Sequence, residues 1–194
     1  METRKLIRVV SLCLLVAFLL VSAGQFSVAS AHDWQCGAYG WHWNRTGSSV
    51  TIGMYNTAYY YSQANSARND WSGNTILYVP NRTYHTDMSV FDGSYGNTGW
   101  GGLAEIINYS GCHITHGHAR LNYYYSYTSN EKRGIFCQEI GHLFGLDHSD
   151  HGCMGMGYYN NAYTTVQHNW DDIYNKYRYG HGRAADQGGG EQAP

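Results

Sequence analysis

The residues most suited to metal chemistry lie between Cys137 and Met156, in the stretch CQEIGHLFGLDHSDHGCMGM. Gln138 and His142 are four residues apart, so on an α-helix their side chains share a face and can reach one metal ion. Glu139 projects to the side of that face, where a carboxylate can take a proton from a water molecule without displacing it. The spacing predicts a helix that carries two metal ligands and a general base.

A turn after this helix would bring a third ligand to the same ion. Gly145 follows His142 by three residues and can take the left-handed conformation that ends a helix. The chain then reverses and directs His148 at the metal. With Gln138, His142 and His148 as ligands, one coordination position stays open, as in catalytic zinc sites.

The pattern Glu-x-x-His-x-x-Gly-x-x-His, followed by a methionine, resembles the signature of the metzincin metallopeptidases, most closely their matrixin-like branch. The resemblance implies a catalytic Zn²⁺, Glu139 as the catalytic base, and Met154 as the Met-turn residue beneath the ligands. One position departs from the family, because Gln138 stands where the first histidine is expected. An amide is a weaker zinc ligand than imidazole, and the alternative is that Gln138 only forms hydrogen bonds near an empty site.

The resemblance covers residues 48–178 and implies an α+β fold. We expect one metzincin-like domain over residues 32–178, with a twisted mixed β-sheet, an active-site helix, a second long helix and a C-terminal helix. Apolar spacing agrees with these elements. It predicts a strand over Val50–Met54, a helix from Tyr60 to Trp71, a strand over Cys112–Tyr127, and a C-terminal helix buried through Val166, Trp170, Ile173, Tyr174 and Tyr177.

Residues 1–31 have the pattern of a secretory signal peptide. Basic residues precede an apolar run over Val9–Val21, and Ala29-Ser30-Ala31 offers a small-x-small cleavage site. The alternative is a membrane anchor, but the run is shorter than the roughly 20 apolar residues that a spanning helix needs. We therefore expect a secreted, extracellular protein. The tail, residues 179–194, is rich in Gly and Gln and is expected to be disordered.

Charge composition argues against polyanionic partners. Only 13% of the residues are charged, and Asp and Glu (14) outnumber Lys and Arg (12), three of which lie in the expected signal peptide. We expect no nucleic acid and, after signal cleavage, no membrane as partner. The resemblance implies an extended peptide or protein substrate, and we expect a monomer.

Four cysteines remain after signal cleavage, and an even number in an exported chain indicates two disulfides with three pairings. We favour Cys36 with Cys112 and Cys137 with Cys153. The second pair would join the start of the metal-binding helix to the Met154 turn. Thiolate ligation of zinc is the alternative, which an oxidising compartment disfavours.

Further metal sites have little support in the sequence. Glu105 stands where the family has a histidine ligand of a structural zinc, so we expect that ion to be lost. Asp87 and Asp92 alone support Ca²⁺ only weakly. His116 and His118 share a strand face and could bind metal, but a solvated strand face is the more ordinary interpretation.

Three functions are consistent with these patterns. The first is a secreted zinc-dependent metalloendopeptidase. The second is a metzincin-shaped binding protein for a peptide or glycan, whose catalysis is impaired by Gln138. The third is a copper site built on His32 as the mature N-terminus, which leaves residues 138–154 unexplained. Metal analysis of the secreted protein distinguishes the three.

Overall fold

The computed structural model describes residues 34–37, 39–155 and 162–179. The expected signal peptide, His32, Met156 and the tail beyond Tyr179 lie outside these residues. The strands, in chain order, are β1 (His42–Trp43), β2 (Val50–Thr51), β3 (Met54–Asn56), β4 (Leu77–Tyr78), β5 (Asn81–Arg82), β6 (Met88–Gly93), β7 (Gly102–Ser110) and β8 (His113–Asn122). The helices are α1 (Tyr61–Gly73), α2 (Ser129–Leu143) and α3 (Gln167–Tyr177), with a 3₁₀ turn at Gly152–Met154. Within the described ranges no helix is long and apolar enough to cross a bilayer.

Six strands form the main sheet. Five follow the order β1–β8–β6–β3–β5, and β7 pairs with β8 on the side opposite β6. The pairs along this path are parallel, whereas β7 runs antiparallel to β8. Strands β2 and β4 form a separate parallel pair. The mixed sheet and the three helices confirm the expected α+β class.

Strand β8 shows how the sheet separates its two faces. Ala119 and Leu121 are buried, and Gly117 lies so close to α2 that an added Cβ would stand 2.6 Å from Leu143. Side chains alternate along a strand, so His116 and His118 lie on the opposite face from α2. One face of the sheet therefore supports the helix that carries the candidate site.

The core between the helices and the sheet is built around Trp71. This α1 residue is fully buried, and its indole Nε1 donates a hydrogen bond of 2.9 Å to the Cys137 carbonyl of α2. Its ring also meets Phe144 edge-on, with centroids 5.6 Å apart. Helix α1 begins and ends within a residue or two of its predicted bounds, so its apolar spacing was a sufficient guide.

Two predicted strands differ from the structure. The predicted Val50–Met54 strand is divided, because β2 pairs with β4 whereas β3 joins the main sheet. Strand β8 ends at Asn122 rather than Tyr127. The Asn122 side chain accepts a hydrogen bond from the Tyr124 N–H at 3.1 Å, which turns the chain out of the sheet.

The C-terminal helix is confirmed as α3, and its buried face is the predicted one only in part, since Ile173 and Tyr177 are buried as expected. Tyr174 and Val166 are 40% and 39% exposed, whereas Asn169 and Asp172 are buried. Asn169 is satisfied by hydrogen bonds, since it accepts one from the Val166 N–H and donates one to the His151 carbonyl. Apolar spacing cannot reveal buried polar groups of this kind.

Candidate active site

Helix α2 begins with a reciprocal cap. The Glu131 N–H donates to the Thr128 hydroxyl at 3.3 Å, and the Thr128 N–H donates to the Glu131 carboxylate at 2.6 Å. In this capping box each residue's backbone N–H donates to the side chain of the other, which fixes where the helix starts. It therefore also fixes which side chains face the cleft two and three turns later.

The end of α2 is a Schellman motif centred on Gly145. The Gly145 N–H donates to the His142 carbonyl at 2.8 Å, and the Leu146 N–H donates to the Gly141 carbonyl at 3.2 Å. Gly145 has φ +84°, and an added Cβ would overlap the Trp41 carbonyl group. Both the backbone conformation and the lack of space require glycine here. The turn after the helix has the form that the sequence predicted.

This turn brings two imidazoles together. The Nε2 atoms of His142 and His148 lie 3.2 Å apart, with their rings nearly perpendicular. His142 is buried, and its Nδ1–H donates to the Leu146 carbonyl at 2.8 Å, so its Nε2 carries the lone pair. Burial lowers the pKa of His142 below its ordinary value. The neutral, metal-binding form of the ring is therefore favoured.

Gln138 and Glu139 lie with His148 on the wall of a cleft of about 560 Å³. The rest of the wall is glycine-rich and aromatic, and it includes Gly99, Trp100, Gly101, Gly102, Tyr125, Tyr127, Gly134 and Tyr163. The four sequence-predicted residues of the motif, Gln138, Glu139, His142 and His148, thus lie on α2 or on the turn after it.

Glu139 carries a buried carboxyl group that lies beside Gly102, the first residue of β7. Its residue is 6% exposed, and burial raises its pKa to about 8, although the Ala104 N–H donates to the carboxylate and opposes the shift. Gly102 allows this close approach, since an added Cβ would lie 2.6 Å from Ile135 and would overlap the Glu139 carboxylate. A carboxyl group with this proton affinity, on a cleft wall, is suited to proton transfer.

Met154, which the sequence analysis proposed as the Met-turn residue, packs against Gly141 of α2. It is 1% exposed, and its sulfur occupies the space that a Cβ on Gly141 would need. The Cys137–Cys153 disulfide, with Cα atoms 5.9 Å apart, joins α2 to the same 3₁₀ turn. The second disulfide is Cys36–Cys112. Both are the pairings that the sequence analysis favoured.

The residues considered for structural metals have other partners. Asp87 binds the Arg45 guanidinium at 2.7 Å and the Gly53 N–H at 2.6 Å. Burial raises the pKa of its carboxyl, but these bonds outweigh burial and hold the pKa below the ordinary value. Asp92 accepts the N–H groups of Tyr59 and Tyr60 at the start of α1. Glu105 is paired with Arg120. In the part of the chain that is described, no three Asp, Glu, His or Cys side chains converge as a metal site.

Sequence reasoning missed Asn122, which holds part of the cleft wall in place. This fully buried residue donates to the Gly96 carbonyl and the Thr98 hydroxyl and accepts from the Tyr95 N–H. It thereby holds the loop that carries Gly99 and Trp100 into the cleft. The signal available in the sequence was the glycine-rich loop itself, but nothing there indicated which residue would satisfy its backbone.

No protein-family model matches the chain, and no curated protein matches it. Among solved structures it is similar to high choriolytic enzyme 1, a hatching enzyme zinc-protease from the medaka fish Oryzias latipes, at 19% identity and TM-score 0.41, over 60% of this chain and 54% of that one. Two structures of myroilysin match at 18% and 17% identity and TM-scores 0.39 and 0.40, over 55% and 77% of this chain and 52% and 70% of theirs. The chain spans about half the length of the first two of these structures.

Proposed function

We propose that the protein is a secreted zinc-dependent metalloendopeptidase of the metzincin type. In this proposal Gln138, His142 and His148 hold the ion and Glu139 is the general base. The observation that carries it is the His142–His148 pair, whose Nε2 atoms lie 3.2 Å apart on the turn that follows the helix of Glu139.

The histidine pair fits a zinc ion. Two nitrogens bound to one tetrahedral zinc at the usual 2.0–2.1 Å lie about 3.3 Å apart, close to the separation of the two Nε2 atoms. The His142 Nδ1–H donates to the Leu146 carbonyl, which is the contact that orients zinc-bound imidazoles and raises their basicity. Gln138 offers an amide oxygen from the same cleft wall as a third ligand.

The proposed chemistry is hydrolysis of a peptide bond. When bound, Zn²⁺ supplies Lewis-acid polarisation of a carbonyl group and lowers the pKa of water. Glu139 accepts the proton of the attacking water and passes it to the leaving amine. A nearby cation favours the ionised carboxylate, which offsets the burial that otherwise keeps Glu139 protonated.

An extended peptide is the substrate that the cleft suits best. Strand β7 is an edge of the main sheet and begins at Gly102, on the cleft wall beside Glu139. An edge strand offers unpaired N–H and C=O groups to a peptide that adds as a further strand. The aromatic side chains on the wall would then contact alternate side chains of that peptide.

The experiment is casein hydrolysis by the purified secreted protein, with Glu139→Gln as the matched variant. We expect wild-type activity to be lost with a zinc chelator and restored by Zn²⁺. Glu139→Gln should keep its zinc and lose about 10²–10⁴-fold in turnover, the usual effect of removing a general base. Activity that survives the chelator, or is unchanged in the variant, would contradict the proposal.

Gln138 favours a second candidate, a metzincin-shaped binding protein for a peptide or glycan. An amide in the first ligand position weakens the zinc site, while the aromatic cleft is retained. The casein experiment separates the two candidates. A binding protein would show no zinc-dependent hydrolysis, either as the wild type or as Glu139→Gln.

A further inference from the structure

The cleft wall carries a second acidic side chain, at the start of α2. Glu131 lies in the first turn of that helix. Apart from Glu139, it is the only Asp or Glu among the described residues that line the cleft, and none of those residues is Lys or Arg. Its hydrogen bonds with Thr128 lower the pKa of the Glu131 carboxyl, so the group is ionised at neutral pH. This end of the cleft is therefore negatively charged.

Glu131 lies on the same side of α2 as the candidate metal site. Gly134 and Gln138 follow it by three and seven residues, a spacing that returns to one face of a helix, and all three residues line the cleft. Seven residues span about 10 Å along a helix axis. A substrate whose scissile bond lies beside Gln138 would therefore have Glu131 two helical turns away, within reach of a long side chain.

The two cations that follow Glu131 on α2 have other partners. The Lys132 Nζ donates to the Tyr127 carbonyl and lies 4.4 Å from the centre of the Tyr60 ring. The Arg133 guanidinium binds Asp70 of α1, with its Nε donating to that carboxylate at 2.9 Å. These contacts hold the positive charges of α2 on groups other than the Glu131 carboxylate, which can therefore accept a cation from a ligand.

The rest of this wall suits a cationic side chain better than an aliphatic one. Its aromatic residues are Trp100, Tyr125, Tyr127 and Tyr163. Tyr125 is fixed through its hydroxyl, which donates to the Asn97 side chain and accepts from the Gly99 N–H, each at 2.8 Å. The faces of aromatic rings attract ammonium groups and stack on guanidinium groups. Aromatic faces together with one carboxylate form a surface that favours Lys and Arg.

We propose that Glu131 determines the specificity of the cleft, which selects peptides that carry Lys or Arg within about two residues of the scissile bond. The substrate cation would form a charge-assisted hydrogen bond with the Glu131 carboxylate. An acidic side chain in the same place would be repelled. The inference rests on the proposed peptidase function and names its substrate class. Glu131 takes no part in the proton transfer assigned to Glu139.

The test compares internally quenched peptides that are identical except for one central residue, which is lysine, methionine or glutamate. Methionine matches the unbranched stem of lysine without its charge. We expect the wild type to give the highest kcat/KM with the lysine peptide and the lowest with the glutamate peptide. In Glu131→Gln the ratio of kcat/KM for the lysine peptide to that for the methionine peptide should fall about three- to fivefold, as expected for the loss of one exposed ion pair.

Two features of the chain make this comparison specific. Glutamine at position 131 preserves the cap of α2, because its amide oxygen can accept the Thr128 N–H in place of the carboxylate. Asp171→Asn is the control, since it removes one negative charge from α3, where Asp171 binds Gln167. This variant should keep the wild-type ratio.

Binding of the same peptides to Glu139→Gln separates this proposal from the proposed function. Tighter binding of the lysine peptide, lost when Glu131→Gln is added, supports the role of Glu131 even if the wild type hydrolyses none of the peptides. That result would contradict the peptidase alone. The proposal is overturned if the preference for lysine is missing from both hydrolysis and binding, or if it survives Glu131→Gln.

Discussion

His142 and Leu146 are joined by a hydrogen bond of 2.8 Å from the imidazole Nδ1–H to the carbonyl oxygen. The bond lies within the turn that ends α2, and Leu146 is held there by its own N–H, which donates to the Gly141 carbonyl. The backbone of the turn thus fixes the tautomer of His142 and the direction of its Nε2. The turn is therefore as important to the candidate metal site as the ligands themselves.

The first prediction concerns Gly145. Gly145→Ala should lower the free energy of unfolding by at least about 2 kcal/mol, because φ is positive and the new Cβ would overlap Trp41. Gly111→Ala is the matched control, since Gly111 also has positive φ but open space around it. Urea unfolding of the metal-free proteins measures both. A loss in Gly145→Ala no larger than in Gly111→Ala would show that the contact with Trp41 is unimportant.

The second prediction concerns Gly102. Gly102→Ala should displace the Glu139 carboxylate from its place beside β7, because the new Cβ would overlap it. We expect at least a tenfold loss of casein hydrolysis while zinc content is unchanged, since Gly102 is not a ligand. Gly73→Ala, with nothing near the added Cβ, is the control. Full activity in Gly102→Ala would mean that the position of the Glu139 carboxylate does not depend on the space beside Gly102.

The third prediction is a pH dependence of stability in the metal-free protein. Burial raises the pKa of Glu139 to about 8 from an ordinary value of 4.5. The folded protein therefore keeps this proton over a range where the unfolded chain has lost it. Stability from this group is fully present below pH 4.5 and is lost as the pH rises to about 8.

The glutamine side chain of Glu139→Gln cannot ionise, so the variant should not show this loss of stability with rising pH. Relative to the variant, the wild-type free energy of unfolding should fall by up to about 5 kcal/mol between pH 4.5 and 8, at about 1.4 kcal/mol per unit. His142 and His148 are common to both proteins and cancel in the difference. Urea unfolding across this range measures it, and parallel pH profiles would show that the carboxyl group is not buried in solution.

The fourth prediction concerns the Cys137–Cys153 disulfide, which joins residues 16 positions apart. Replacing both cysteines by alanine should lower the free energy of unfolding by about 3 kcal/mol, the usual effect for a loop of this size. It should also weaken zinc binding, because Met154 would lose its attachment to α2. Peptide mapping of the unreduced protein checks the pairing, and a link from Cys137 to Cys36 or Cys112 would contradict it.

The sequence was informative wherever a local rule decides the outcome. The spacing of Gln138 and His142 predicted their helix, and Gly145 predicted its end, because helix periodicity and positive φ are local properties. The sequence could not give the close approach of Gly102 to Glu139, nor the loop held by Asn122. These depend on contacts between segments far apart in the chain.

The pair His116 and His118 illustrates the same limit. Alternation along a strand placed both rings on one face, but the 3.1 Å between their Nε2 atoms follows from ring orientations. Those orientations depend on the Thr86 carbonyl, which β6 and the preceding turn bring to β8. The close approach of these two rings could therefore not be predicted from their spacing in the sequence.

Zinc affinity at position 138 tests the central claim most directly, namely that Gln138, His142 and His148 hold one ion. The measurement is competitive Zn²⁺ titration of the wild type, Gln138→His and Gln138→Ala. We expect Gln138→His to bind at least about tenfold more tightly, or about 1.4 kcal/mol, and Gln138→Ala to bind more weakly than the wild type. Equal affinity in all three proteins, or no binding in any, would show that residue 138 is not a ligand position.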